Sequence, residues 1–288
     1  MDKVKCEAFL VAVEGGSLTH AANVLGYTQP GITRMIDSLE AELGFPLLLR
    51  TKKGVSLTPN GRMILPLLRE VVRATRLAEE TGASISGILS GVLTIGCYWS
   101  VSAMLLPDIL KRFLADYPGI RIVLREGTNA ELSQWLGERS VDLCFAARPS
   151  EGTVCEWFPV MDDELTAWLP EDHPDAHLDR FPVDRLGVYP FIITQPNKDT
   201  DIDRVFSEAG IHADIRFVSK DAYATYRMVE AGLGISLNQR LIARDWHGRV
   251  AVLPFDPPQY VRLGIAVPSM KGASPAAKKF LEYVTIRK

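Results

Sequence analysis

Apolar residues recur at helical spacing through most of the first 90 residues of the chain. Two short helices stand out: Leu18–Leu25, and a second that begins after Thr28, with Gly26 in the turn between them. Ser17 and Thr28 fit as N-caps, and Pro30 fits a first helical turn, where no amide donor is needed. This spacing predicts a helix-turn-helix, although an ordinary helical hairpin has the same pattern.

A β-hairpin is predicted directly after these helices, at residues 45–58, with a basic turn at its tip. A hairpin in this place is a wing. Its cations are expected to contact phosphates, and the exposed start of the second helix is expected to contact base edges. The residues that we expect to contact DNA are Ser17, Thr28, Gln29, Pro30, Thr33, Arg34, Arg50, Lys52 and Lys53.

Residues 59–88 predict a long helix. Apolar and small residues repeat along it every seven positions, as in a coiled-coil seam that holds a dimer. A single amphipathic helix packed on its own domain is the alternative, and Pro66 leaves a kink or a later start open. The seam residues are Ile64, Leu68, Val71, Thr75, Ala78, Gly82 and Ile85.

Beyond this helix, strand and helix patterns alternate, which predicts parallel sheets with helices on their faces. The predicted fold class is α/β, with a winged helix-turn-helix, a linker helix and a two-lobed C-terminal domain. The predicted bounds are 1–58 for DNA binding, 59–88 for the linker and 89–288 for the two lobes, of which the first is 91–160 with 265–288 and the second is 161–264.

Polar and aromatic residues follow several predicted strands of the two lobes, among them a predicted loop at 97–102. Ligands of open α/β sheets bind at such strand ends. Each hydroxyl there also fits a simple helix cap, the aromatic residues also fit a core, and Arg148 also fits a solvated ion pair. The candidate effector-binding residues are Tyr98, Trp99, Ser100, Ser102, Thr128, Asn129, Arg148, Thr194 and Gln195.

Fragments spread in order over nearly the whole chain resemble the LysR-type bacterial transcriptional regulators. They include Gly16-Ser17-Leu18-Thr19, Gln29-Pro30, Leu57-Thr58-Pro59, Gly91-Val92-Leu93-Thr94-Ile95-Gly96, Leu105-Leu106-Pro107 and Ala231-Gly232-Leu233-Gly234-Ile235. The resemblance implies a C-terminal domain similar to periplasmic solute-binding proteins. It also implies double-stranded DNA as a partner, assembly as a homodimer or homotetramer, and a small effector, expected to be anionic, that Ser100 and Thr128 hydrogen-bond.

Composition and motifs narrow the function further. The net charge of −3 does not itself indicate DNA binding, so the placement of the cations matters more than their number. We find no long apolar run, no signal-peptide pattern and no catalytic motif, and we expect a cytoplasmic protein with no membrane partner, no enzymatic activity, no cofactor and no metal. The alternative function is a solute-binding protein or small-substrate enzyme with an N-terminal helical extension.

Overall fold

The computed structural model describes residues 1–51, 53–87, 89–149, 152–194 and 201–286. The N-terminal part is helical with one hairpin. Its elements are α1 (Lys3–Glu14), α2 (Leu18–Leu25), α3 (Gln29–Leu43), β1 (Leu48–Thr51), β2 (Gly54–Leu57) and α4 (Pro59–Ile85).

The predicted helix-turn-helix is confirmed, and local side-chain chemistry accounts for its boundaries. The Ser17 hydroxyl oxygen accepts the amide of His20 at 3.3 Å, and that of Thr28 accepts the amide of Gly31 at 3.2 Å. Each hydroxyl thereby satisfies one of the amides that a helix leaves unpaired at its start. Gly26 ends α2 in the left-handed conformation that glycine adopts without steric cost.

The wing lies against the turn between α1 and α2. The Val55 amide donates to the Gly16 carbonyl oxygen at 2.9 Å. A β-carbon on Gly54 would lie 2.3 Å from that same oxygen, and Gly54 also has a φ of +124°. Only glycine fits both conditions, so this position fixes where the wing sits beside the helices.

Helix α4 begins at Pro59 and continues through Pro66 without a later start. Thr58 holds this start in two ways: its hydroxyl donates to the Pro46 carbonyl oxygen at 2.9 Å, and its oxygen accepts the Gly61 amide at 2.8 Å. A β-carbon on Gly61 would lie 2.2 Å from the Leu47 carbonyl oxygen, so the helix approaches β1 more closely than a larger residue allows.

The predicted dimer seam on α4 is wrong at Leu68, and the neighbouring seam residues contact the same core. Leu68 is buried in the core of the winged-helix part, and Ile64 and Val71 pack against that core. These residues therefore pack within their own domain, which is the alternative that the sequence left open. A different row faces outward, with Met63 at 78% exposure and Leu67 at 62%.

The remaining elements form two lobes. The helices are α5 (Trp99–Met104), α6 (Leu106–Asp116), α7 (Asn129–Gly137), α8 (Asp201–Ala209), α9 (Ala222–Glu230), α10 (Arg240–Ala243) and α11 (Pro275–Ile286), with a 3-10 turn at Val183–Gly187. The strands are β3 (Gly91–Cys97), β4 (Ile120–Glu126), β5 (Leu143–Ala147), β6 (Glu156–Pro170), β7 (Phe181–Pro182), β8 (Pro190–Thr194), β9 (Asp214–Ser219), β10 (Ser236–Gln239), β11 (Val250–Asp256) and β12 (Tyr260–Val267).

One long strand, β6, connects the lobes. Its first part pairs with β12 in the order β4-β3-β5-β12-β6, and its last part pairs with β10 and β11. We call β3, β4, β5, β12, α5, α6, α7 and α11 the first lobe, and β7 to β11 with α8, α9 and α10 the second lobe. Strands β8 and β9 pair in parallel within the second lobe.

Several sequence-based boundaries are corrected here. The sequence pattern indicates a strand only at Glu164–Leu169, whereas β6 begins at Glu156. The first half of β6 is only partly buried and lacks a strong apolar pattern, so it is not recognisable from the sequence. The predicted loop at 97–102 contains the end of β3 and the start of α5. Strand β11 was not predicted.

Three arginines on one side of α4 connect this helix to the first lobe. Arg69 lies 2.8 Å from a carboxylate oxygen of Glu138, and Arg73 donates to the Gly272 carbonyl oxygen at 3.0 Å. Arg76 lies 2.9 Å from Asp142, whose other oxygen accepts the Thr94 amide at 2.7 Å. The spacing 69, 73, 76 keeps all three on one helical face.

Candidate DNA-binding surface and effector cavity

The start of α3 presents an exposed polar surface. Gln29, Pro30 and Arg34 are exposed, and Arg34 makes no ion pair with any residue that the structure describes. Thr33 is half-buried, and its hydroxyl donates to the Gln29 carbonyl oxygen at 2.9 Å. Ser17 and Thr28 are the helix caps described above, so their side chains are already engaged by the backbone.

The cations of the wing differ from one another in their partners. Arg50 lies 2.6 Å from Asp37 and 3.2 Å from Glu40, both on α3. The Arg50 guanidinium therefore holds the wing to α3 and its charge is already paired. Lys53 is exposed and makes no ion pair among the described residues, and Lys52 lies outside those residues.

A cavity of about 240 Å³ opens between the two lobes. Most of the predicted effector-binding residues lie on its wall, including five from the first lobe. The lining residues from the prediction are Tyr98, Trp99, Ser100, Thr128, Asn129 and Thr194.

Three predicted residues do not lie on the described wall. The Ser102 hydroxyl donates to Trp99 and to Glu126 instead. Arg148 lies in a separate open depression with Arg262. Gln195 falls outside the described residues.

The second lobe supplies the larger share of the wall, and apart from Thr194 none of its lining residues was predicted from the sequence. The missed residues are Leu165, Ile202, Lys220, Asp221, Ala222, Tyr223, Leu237, Asn238, Gln239 and Ile242. Lys220 directly follows β9 and Gln239 ends β10, so the rule of strand ends applies to them as well. The signal, a polar residue at the end of a predicted strand, was therefore present in the sequence at these two positions as well.

Ser100 is buried to 96% within α5, and none of the described residues forms a hydrogen bond with its hydroxyl. The neighbouring Tyr98 is held in place on two sides. Its hydroxyl donates to the Asn129 side chain and accepts the Ala147 amide at 3.1 Å. Tyr98 thus fixes the first lobe's side of the cavity, and Ser100, which also lines the cavity, has a hydroxyl without a partner among the described residues.

The Thr128 hydroxyl is committed to a capping box at the start of α7. It donates to Glu131 at 2.9 Å, and the Thr128 amide donates to the same carboxylate oxygen at 2.8 Å. These bonds from Thr128, with the charge of Lys220 as a smaller contribution, lower the pKa of Glu131. Thr128 is therefore both a lining residue and the cap that the sequence offered as an alternative.

Aromatic rings bridge the lobes beside the cavity. Trp99 of the first lobe lies 6.2 Å from the ring of Trp246 in the second, and Trp246 also contacts Tyr223 at 5.2 Å. The guanidinium of Arg244 donates to the Met104 carbonyl oxygen at 3.4 Å nearby. This ring pair and the Arg244 hydrogen bond thus connect the two lobes near the cavity, in addition to the buried apolar cluster that the lobes share.

The cysteines show no sign of activated thiols. Burial raises the pKa of Cys97 and of Cys144 to about 12, and it also raises the pKa of the partly exposed Cys155. A thiol with a raised pKa carries little thiolate, which is the reactive form.

An exposed helix-turn-helix joined to a two-lobed domain with a cavity is the arrangement of one class of protein, the DNA-binding regulators with a ligand-responsive domain. The comparisons with known proteins agree. Residues 5–62 match the family model for the bacterial regulatory helix-turn-helix protein of the lysR family, and residues 86–287 match the LysR substrate binding domain.

Individual proteins extend this match over the full length. The HTH-type transcriptional regulator YvbU of Bacillus subtilis (strain 168) is 30% identical over 285 residues, which covers 98% of this chain and 97% of that protein. The chain belongs to the LysR family of transcriptional regulators. It is a sequence-specific DNA-binding regulator with an effector-binding domain, and it is not an enzyme.

Solved structures share the fold. Full-length OxyR from Pseudomonas aeruginosa has a TM-score of 0.78 at 21% identity, covering 99% of this chain and 95% of that one. Full-length CbnR in complex with its target DNA has a TM-score of 0.70 at 22% identity, covering 99% of both chains. No helix in the described parts of the present chain is both long and apolar enough to cross a bilayer.

Proposed function

We propose that this regulator recognises its operator through the start of α3 and responds to a small anionic molecule bound in the cavity between the lobes. The observation that carries the second part is the cavity itself, because both lobes line it and a buried donor, Ser100, has no described partner there. The first part rests on the exposed side chains of Gln29 and Arg34. The proposal retains the predicted domain bounds and a cytoplasmic location, where a bacterial operator is accessible.

Base recognition is assigned to Gln29 and Arg34. Amide and guanidinium groups pair with base edges in the major groove, and a recognition helix presents its N-terminal residues there. Phosphate binding is assigned to Lys53 and Lys52 and no longer to Arg50, whose charge is already paired with Asp37 and Glu40.

The assembly is proposed to be a homodimer held by the outward row of α4, with a homotetramer as its paired form. Ala74 and Ala78 are exposed between Leu67 and Ile85, and Ile85 is 83% exposed. The spacing of four and seven residues places this row on one face of the helix. A second copy of α4 would cover these apolar side chains.

The test is operator affinity. DNA selected by the wild-type protein from a randomised pool serves as the operator, and Arg34→Ala or Gln29→Ala should each weaken binding by about 1–3 kcal/mol and relax the sequence preference. Arg121→Ala, an exposed arginine on β4, is the matched control and should bind as the wild type does. Wild-type affinity in both α3 variants would remove base recognition from this helix.

A further inference from the structure

Two charged side chains lie on the described wall of the cavity, Lys220 and Asp221, in the loop between β9 and α9. The Asp221 carboxylate caps α9, because it accepts the Ala224 amide at 2.7 Å. Lys220 forms neither an ion pair nor a hydrogen bond with any residue that the structure describes. Its ammonium group is therefore the available charge on this wall.

Four other hydrogen-bond donors of the wall are already used within the protein. These pairs are Tyr98 with Asn129, Thr128 with Glu131, Thr194 with Thr225 and Asn238 with Ser236. The donors that remain include the Ser100 hydroxyl in the first lobe and the Lys220 ammonium in the second. Because donors left unpaired beside a cavity gain most from an incoming acceptor, the ligand's acceptor belongs between these two groups.

The position of Lys220 relative to the first lobe supports this. The charge of Lys220 acts on Glu131, which lies in the first turn of α7 on the opposite side of the cleft. Glu131 is held by Thr128 and does not form a direct ion pair with Lys220. Lys220 thus lies within electrostatic range of the first lobe and makes no direct ion pair with any residue that the structure describes.

We propose that Lys220 determines the charge specificity of the cavity by binding the carboxylate of a small flat acid together with Ser100 of the opposite lobe. The ring of such an acid would lie against Trp99 and Tyr223, with Leu237 beneath it. A carboxylate held from both lobes favours one arrangement of the lobes, which is what an effector must do. This inference rests on the proposed function and adds the residue that selects the ligand.

The experiment compares acids with their primary amides on the full-length protein. The pairs are benzoate and benzamide, salicylate and salicylamide, phenylacetate and phenylacetamide, and cinnamate and cinnamamide. Thermal shift identifies the members that bind and calorimetry gives their affinities. We expect at least one acid, and not its amide, to stabilise the wild type.

Lys220→Met should weaken the binding of that acid at least tenfold, whereas Lys220→Arg, which keeps the charge, should stay within a few-fold of the wild type. Lys111→Met is the matched control, because Lys111 is an exposed lysine on α6 away from the cavity. Lys220→Glu should lose the acids as well and tests repulsion directly. Lys220 is exposed, so these variants should fold.

Three results would overturn the inference: no acid stabilises the wild type, an acid and its amide bind equally well, or Lys220→Met binds the acid as tightly as the wild type does. Stabilisation by the amides alone would reject the role of Lys220 while leaving a small-molecule cavity in place. Operator recognition by the wild type is measured in a separate experiment. If the wild type selects no specific DNA sequence, that result counts against the proposed function and not against Lys220.

Discussion

Arg76→Met tests whether the ion pair between α4 and the first lobe is part of the protein's stability. Asp142 is only 11% exposed, and it accepts hydrogen bonds from Arg76 at 2.9 Å and from the Thr94 amide at 2.7 Å. The substitution keeps most of the aliphatic stem of Arg76 but leaves the Asp142 carboxylate with one donor.

The size of the effect follows from the burial of the pair. A hydrogen bond to a charged group contributes about 1.5–3 kcal/mol. Because the Arg76 side chain is 33% exposed, water screens part of the interaction, and we expect a loss of about 2 kcal/mol. For a domain of about 200 residues this corresponds to a melting temperature about 4–8 °C lower.

The effect should depend on pH. Burial raises the pKa of Asp142, and the charge of Arg76 opposes this increase. Removing Arg76 therefore raises the pKa of Asp142 further. Between the usual pKa of an aspartate and this raised value, the native state binds more protons than the unfolded state, so stability decreases as the pH increases. The cost of Arg76→Met should accordingly be larger at pH 8 than at pH 5.

The assay is thermal unfolding at fixed protein concentration, with Asp142→Asn and the double variant completing a cycle. The loss of stability in the double variant should be smaller than the sum of the losses in the two single variants. Arg262→Met is the control, because the Arg262–Asp162 pair is exposed on both sides and should contribute little. If the effects of the two single variants add, or if the cost of Arg76→Met does not change with pH, the ion pair does not contribute to stability in this way.

Two further predictions concern assembly and the thiols. Leu67→Glu would place a charge in the exposed apolar row of α4 and should yield monomers by light scattering, with strongly reduced operator affinity. Glu79→Gln on the same helix is the control and should remain oligomeric. An oligomeric Leu67→Glu protein would place the dimer contact elsewhere. Cys97 and Cys144 should react with iodoacetamide at pH 8 roughly a thousandfold more slowly in the folded protein than in urea. The reason is that a thiol with a pKa of about 12 holds roughly a thousandfold less thiolate at this pH than an ordinary cysteine does. Equal rates measured by mass spectrometry would contradict the burial of these two thiols.

The first lobe's side of the effector site could be predicted from local sequence, and the second lobe's side could not. Ser100 and Thr128 follow β3 and β4 in recognisable fragments, so their place at strand ends was readable. Lys220 follows β9, whose side chains are mostly exposed and show no alternation. Its position opposite Ser100 depends on how the chain crosses between the lobes through β6, which no local pattern encodes.

The DNA-binding end shows the same division at shorter range. Caps, glycines and apolar spacing determine α2, α3 and the wing, because each acts over a few residues of chain. The partner of a side chain is not local in this sense. In the sequence Arg50 is a cation like the others of the wing, and only the packing of β1 beside α3 brings it within 2.6 Å of Asp37.

Local sequence patterns were enough to predict the helix-turn-helix and its wing, the α/β character of the lobes and, through the fragments that resemble the family, the class of protein. Tertiary structure decided which face of α4 is free, since Leu68 is apolar in either case and only packing on the winged-helix core buries it. It also decided that Lys220 and Ser100 face the same cavity. Periodicity records how a residue lies within its own element, whereas contacts between distant segments depend on the free energy of packing the whole chain.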